Sequence, residues 1–173
     1  KNQGLFYQYY HGNWTALPDF DNTFPIEKYG VSATADISVR TRNDNFAFIW
    51  RGYIKIPTNA TYTFETCSDD GSKLYVNMPY DSAATATVTN DFAHSPTSQT
   101  GTIVLSAGQV APITATFFEV GGGEQMQVWW RNNAGLARVQ IPASQFSDTF
   151  TPSGSAPTAP SGLNATAVSF SRI

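Results

Sequence analysis

The stretch Phe46–Ile56 (FAFIWRGYIKI) sets the first limit on the fold. Phe46, Phe48 and Trp50 recur at every second residue, a spacing that puts three large rings on one face of an extended strand but not of a helix. The run stops at Pro57-Thr58-Asn59-Ala60, where proline and asparagine suit a turn. Alternation then resumes, with Tyr62, Phe64 and Thr66 set against Thr61, Thr63 and Glu65. Two alternating runs around a turn predict a β-hairpin.

The same pattern fills the next ninety or so residues. Ser68-Asp69-Asp70-Gly71 punctuates the chain before a strand over Lys73–Met78. Further strands are predicted over Ala84–Thr89, Thr102–Ser106, Val110–Phe118, Met126–Arg131 and Arg138–Ile141. Ser106-Ala107-Gly108-Gln109 and Gly121-Gly122-Gly123 supply two of the connections. No window carries helical periodicity over three turns. Short strands at regular spacing predict an all-β fold, an antiparallel β-sandwich of jelly-roll type with long ligand-binding loops. With 173 residues, 41% of them hydrophobic and 14% aromatic, one such core needs no disulfide or metal to fold. The ring faces are expected inside it.

The composition changes near the end. Residues 1–150 read as the sandwich domain. Residues 151–160 (TPSGSAPTAP) read as a Pro/Ser/Gly linker. Residues 161–173 (SGLNATAVSFSRI) resemble the first strand of a fibronectin type III module, with Leu163, Ala165 and Val168 as its apolar positions. A single strand cannot fold alone, so this reading implies a natural protein that continues into further modules.

Charge and reactive residues narrow the function. Only 13% of residues are charged, the net charge is −3, and the ten Lys and Arg residues are scattered. Phosphate neutralisation has no basic patch to work with, so no nucleic-acid partner is expected. No apolar run reaches membrane-spanning length, so no membrane insertion is expected. Cys67, the single cysteine, is read as a small buried apolar residue. Neither His11 nor His94 sits in a nucleophile motif, and no His/Cys cluster marks zinc. No catalytic residue is assigned, and the chain is not expected to be an enzyme.

Three segments carry candidate chemistry. Asp69 and Asp70 are adjacent carboxylates between two strands, followed by Gly71. They serve either as a turn or, with a cis peptide turning both to one side, as a seat for a hard cation such as Ca²⁺. Adjacent acids do not have the roughly 5–9.5 Å separation of a glycosidase pair. Glu119-Val120-Gly121-Gly122-Gly123-Glu124-Gln125 is either a hairpin tip or a loop whose glycines bring backbone carbonyls to a ligand. Asn90-Asp91-Phe92-Ala93-His94 is either a polar loop or one wall of a sugar site.

Together these pieces resemble the PA-fourteen domain family, a β-sandwich module named after the protective-antigen toxin component and related to yeast flocculins and epithelial adhesins. The resemblance runs from Gly4-Leu5-Phe6-Tyr7-Gln8-Tyr9-Tyr10 through Asn45–Ile54, Pro57–Phe64 and Ser68–Val76 to Gly108 and Phe117-Phe118-Glu119. It implies a Ca²⁺ held by Asp69 and Asp70 across a cis peptide, with a side-chain ligand from Glu119 and carbonyls from Gly121 and Gly123. The family's side-chain ligand is often an amide, so Glu119 is a departure. The resemblance further implies a sugar whose vicinal hydroxyls complete the ion's shell, contacted by Asp69, Asp70, Asn90, Asp91, Phe92, His94, Gly122, Glu124 and Gln125. Phe92 stands where the family commonly has glycine. The implied function is a calcium-dependent lectin domain of an extracellular, cell-surface adhesin, monomeric as an isolated domain. Two alternatives are an accessory carbohydrate-binding domain of a secreted glycoside hydrolase and a spacer in which calcium only rigidifies loops.

Overall fold

The structure, a computed structural model, describes residues Gln3–Thr149. The linker and the fibronectin-like strand read from the sequence lie outside the described residues. Eleven strands run in order: β1 (Leu5–His11), β2 (Lys28–Ser32), β3 (Phe46–Lys55), β4 (Ala60–Asp69), β5 (Ser72–Val76), β6 (Val88–Asn90), β7 (Thr97–Leu105), β8 (Val110–Glu119), β9 (Gln125–Asn132), β10 (Val139–Gln140) and β11 (Phe146–Ser147). They form two antiparallel sheets. The larger has the order β2-β1-β3-β8-β5-β6, with β11 also paired to β3, and the smaller has the order β10-β9-β4-β7. The expected all-β sandwich is therefore present. The one helical element among the described residues is a 3₁₀ turn, Ala143–Gln145.

The alternation of β3 explains the layering. Phe46, Phe48 and Trp50 are fully buried against Tyr62, Phe64 and Trp130 of the facing sheet. Phe48 and Trp50 stack with centroids 4.8 Å apart, and Tyr62 and Trp130 stack at 5.5 Å. Burying each such side chain stabilises the fold by about 1.5–3 kcal/mol. The opposite face of β3 is not solvated throughout. Ala47 and Ile49 pack with Tyr10, Phe20 and Phe118 beneath the segment after β1.

The predicted hairpin across Pro57–Ala60 is not formed. β3 pairs with β1, β8 and β11, whereas β4 pairs with β7 and β9, so this turn carries the chain from one sheet to the other. The turn is closed by the Tyr62 hydroxyl, which donates to the Thr58 carbonyl at 3.0 Å. Ile56 is held by the next corner, donating to the Gln109 carbonyl and accepting from Gly108. The strand expected over Ala84–Thr89 is shorter and later. The Thr87 hydroxyl accepts the Val76 N–H at 3.0 Å, and the ladder begins only at Val88. Cys67 is only partly buried, and its sulfur accepts a hydrogen bond from the Gln125 amide.

Three corners gather at one end of the sandwich. Asp69–Gly71 leads from β4 to β5, residues 91–96 lead from β6 to β7, and residues 120–124 lead from β8 to β9. Each crosses between the sheets. Residues separated by fifty positions in sequence are thereby brought side by side.

A three-carboxylate candidate metal centre

At that end Asp69, Asp70 and Glu119 converge, each offering an oxygen within 4.8 Å of the others. The Asp69-Asp70 peptide is cis. Asp70 is buried and anchored by backbone. Its Oδ1 accepts the His94 N–H at 2.8 Å and its Oδ2 accepts the Val120 N–H at 2.9 Å. One carboxylate thus ties the two neighbouring corners together.

Glu119 ends β8 opposite Phe46 and is fully buried. Neither of its carboxylate oxygens has a hydrogen bond of good geometry among the described residues, and only the Gly121 and Asp70 amides lie near enough to favour its charge. Burial, then the Asp70 and Asp69 charges, push its carboxyl up to about 8, although the nearby Gly121 and Asp70 amides offset part of that. Asp69 is partly buried, and its pKa is raised by desolvation and by Asp70. A buried carboxylate without partners is costly in its charged form, a cost that either a proton or a bound cation relieves. Hard oxygen donors in such a set suit Ca²⁺. The chemistry of this donor set fits the ion that the resemblance implies.

The glycine-rich corner lies over this cluster. A β-carbon on Gly123 would sit 3.2 Å from Asp69 Oδ2. Gly121 lies beside Asp44, and Gly122, at φ +106°, donates its N–H to Asp44 Oδ1 at 3.3 Å. Glu124 forms an ion pair with Arg40. The Gln125 amide nitrogen turns to Cys67 and Gln127. Asp44 and Arg40 were not found from sequence. They come from the segment before β3, whose first residue Phe46 pairs with Glu119.

The 91–94 corner divides its expected residues. Phe92 is 67% exposed at φ +73°. Gly71 is what lets it come so close, because a β-carbon there would lie 2.8 Å from the Phe92 carbonyl and 2.4 Å from the Phe118 ring. His94 contributes its backbone N–H to Asp70, while its ring sits between the Ser95 and Asn90 carbonyls. Asn90 and Asp91 depart from the expected sugar-facing role. Asn90 is buried and its amide nitrogen donates to Ser68 Oγ and the Thr97 carbonyl. Asp91 pairs with Lys73 at 3.2 Å and accepts the Leu17 and Phe92 N–H groups. Both side chains hold the corner in shape.

The PA14 domain family model matches residues 1–143. The chain belongs to that family. Several solved structures share the fold of this PA14 domain at low identity. An anti-sigma factor domain-containing protein has a TM-score of 0.69 and 21% identity, covering 87% of this chain and 50% of that chain. A PA14 sugar-binding domain from an RTX adhesin has 0.67 and 16%, covering 86% and 100%. The Epithelial Adhesin 6 A domain from Candida glabrata, in complex with Galb1-3GlcNAc, has 0.56 and 15%, covering 86% and 68%. This PA14 domain spans about half the length of the anti-sigma factor domain-containing chains it matches. No curated protein matches its sequence. Among the described residues, no helix is long and apolar enough to cross a membrane.

Proposed function

We propose that this PA14 domain binds carbohydrate through a Ca²⁺ ion held by Asp69, Asp70 and Glu119. The observation that carries the reading is the fully buried, unpartnered Glu119 carboxylate beside two further acids. Bound there, Ca²⁺ would offer open coordination positions that the vicinal hydroxyls of a sugar fill. Asp70 accepts from two backbone amides, which hold its carboxylate in a set orientation. Phe92 supplies an exposed ring at the rim, suited to the C–H face of a pyranose. The Arg40–Glu124 pair borders the opposite corner and limits which sugar fits. The sugar-binding domain of the RTX adhesin and the Epithelial Adhesin 6 A domain in complex with Galb1-3GlcNAc, which share this fold, support the same ligand class for this chain.

The site is open and few groups touch the ligand, so single-site affinity is weak and repeated copies supply avidity. In this reading the domain is monomeric, extracellular, and part of a surface adhesin. The test is a glycan array run with Ca²⁺ and again with EDTA, using the parent chain and Asp70→Ala. The reading expects a set of glycans retained only with Ca²⁺ and lost in the variant. If no retained glycan responds to either change, the mechanism is wrong.

A further inference from the structure

The outer face of the larger sheet is only half covered. Near the acidic cluster, Phe20 and its neighbours lie over Ala47 and Ile49. Further along, the same face opens into a groove of about 710 Å³, within the range of small-ligand sites. Phe6 and Gln8 of β1 and Arg51 of β3 line it from the sheet, and Asp21, Phe24, Tyr80 and Asp148 line it from the segments around the sheet. Phe24 is 75% exposed. Arg51 pairs in register with Thr114, five residues from Glu119 along β8, which is about 17 Å at the rise of a strand. The groove and the acidic cluster are separate places on the molecule.

We propose that this groove is a second saccharide-binding site that works without metal. Arg51 donates to the Asp21 carboxylate at 2.6 Å and to the Gln8 side-chain oxygen, and its guanidinium lies over the Tyr80 ring at 5.3 Å. The Arg51–Asp21 pair cancels its own charge and Asp148 adds a second carboxylate to the lining, so nothing here recruits an anion. What it leaves is a fixed set of planar groups, the remaining guanidinium N–H donors, the Gln8 amide N–H₂ and the second Asp21 oxygen. Donors and acceptors stand side by side. A hydroxyl group both donates and accepts, so a polyol satisfies such a set. A purely apolar ligand would instead desolvate the guanidinium and the carboxylate without replacing their water. The aromatic walls complete the match, because a pyranose ring has C–H faces to lay on them. The groove takes no group from the acidic cluster, and its lining is the same whether or not calcium binds there.

The experiment is an array of immobilised neutral di- to tetrasaccharides, with a proline-rich decapeptide spotted alongside, probed in EDTA. The parent chain is expected to be retained on a subset of the saccharides. Phe24→Ala is expected to lower that retention by about three- to tenfold, the loss of one ring contact. Phe24 makes little of the core, so the variant should melt with the parent, and a melting curve checks this. Arg51→Lys, which keeps the charge and loses the planar fork, should weaken the same subset. The proposal is overturned if no saccharide is retained in EDTA, if Phe24→Ala matches the parent, or if only the peptide is bound. Failure of the calcium reading would show elsewhere, on glycans retained only with Ca²⁺.

Discussion

Glu119 makes the acidic cluster sensitive to pH. Its carboxyl stands at about 8 in the folded chain against an ordinary 4.5. Between those values the folded protein holds more protons than the unfolded one, so stability without a divalent cation falls as pH rises through that window. Asp69, also raised, acts in the same direction. Thermal melts in EDTA should therefore show a falling Tm from about pH 5 to 8, and Glu119→Gln should flatten the fall. A Tm that rises across the window would contradict the burial argument. Asp70 makes a different prediction. Asp70→Ala leaves the His94 and Val120 N–H groups without an acceptor, at about 1–3 kcal/mol each. Denaturation in EDTA should show a loss of about 2–6 kcal/mol, and Asp70→Asn, which keeps one acceptor oxygen, should lose less. The two aspartates and the glycines stand out in the sequence because they sit next to one another between strands, but that pattern serves a turn equally well, and the resemblance is what pointed to an ion. The roles of Asn90 and Asp91 were not. Polar residues in a loop read alike whether they face a ligand or, like Asn90, reach behind to Ser68 and Thr97. Arg40 and Asp44 lay more than seventy positions from the corner they border, with no local pattern to join them.

At the scale of elements, alternation identified strands but not their partners. The run Phe46–Ile56 and the run after Ala60 both alternate, and the turn between them has ordinary turn chemistry. A hairpin and a corner between facing sheets need those same features, so local pattern could not separate them. The pairing is decided by which inner faces meet, a property of the whole set of strands. The corners that cross are also tightly fitted. Gly71 is wedged between Phe118 and the Phe92 backbone. Gly71→Ala should force the 91–94 corner outward, lowering stability by about 1–3 kcal/mol. It should also weaken calcium binding, because the His94 N–H that fixes Asp70 belongs to that corner. Calorimetric titration with Ca²⁺ checks this, and an unchanged affinity in a destabilised variant would separate the corner from the site. Gly101 makes the same point away from the cluster. A β-carbon there would lie 1.7 Å from the Thr87 carbonyl oxygen, so Gly101→Ala should destabilise the sandwich without changing calcium affinity in the protein that remains folded.

For the molecule as a whole, the acidic cluster sits where three sheet-to-sheet corners meet, while the corners at residues 56–59 and 106–109 lie at the other end. Asp69 and Asp70 belong to one corner, Glu119 ends the strand leading into the second, and His94 reaches Asp70 from the third. An ion on these carboxylates would fasten the two sheets together at that end and leave the other end untouched. Binding to the folded state alone raises stability by about 2.7 kcal/mol at a hundredfold excess over Kd, or roughly 5–10 °C in Tm for a chain of this size. Hydrogen exchange should resolve where the gain falls. Amides of residues 70–72, 91–96 and 119–124 should exchange more slowly with Ca²⁺, whereas those of 56–59 and 106–109 should slow only as far as global unfolding governs them. Equal slowing at both ends would mean that the ion acts on the sandwich as a whole. No slowing at the three corners, with Tm unchanged, would remove calcium from this end of the molecule.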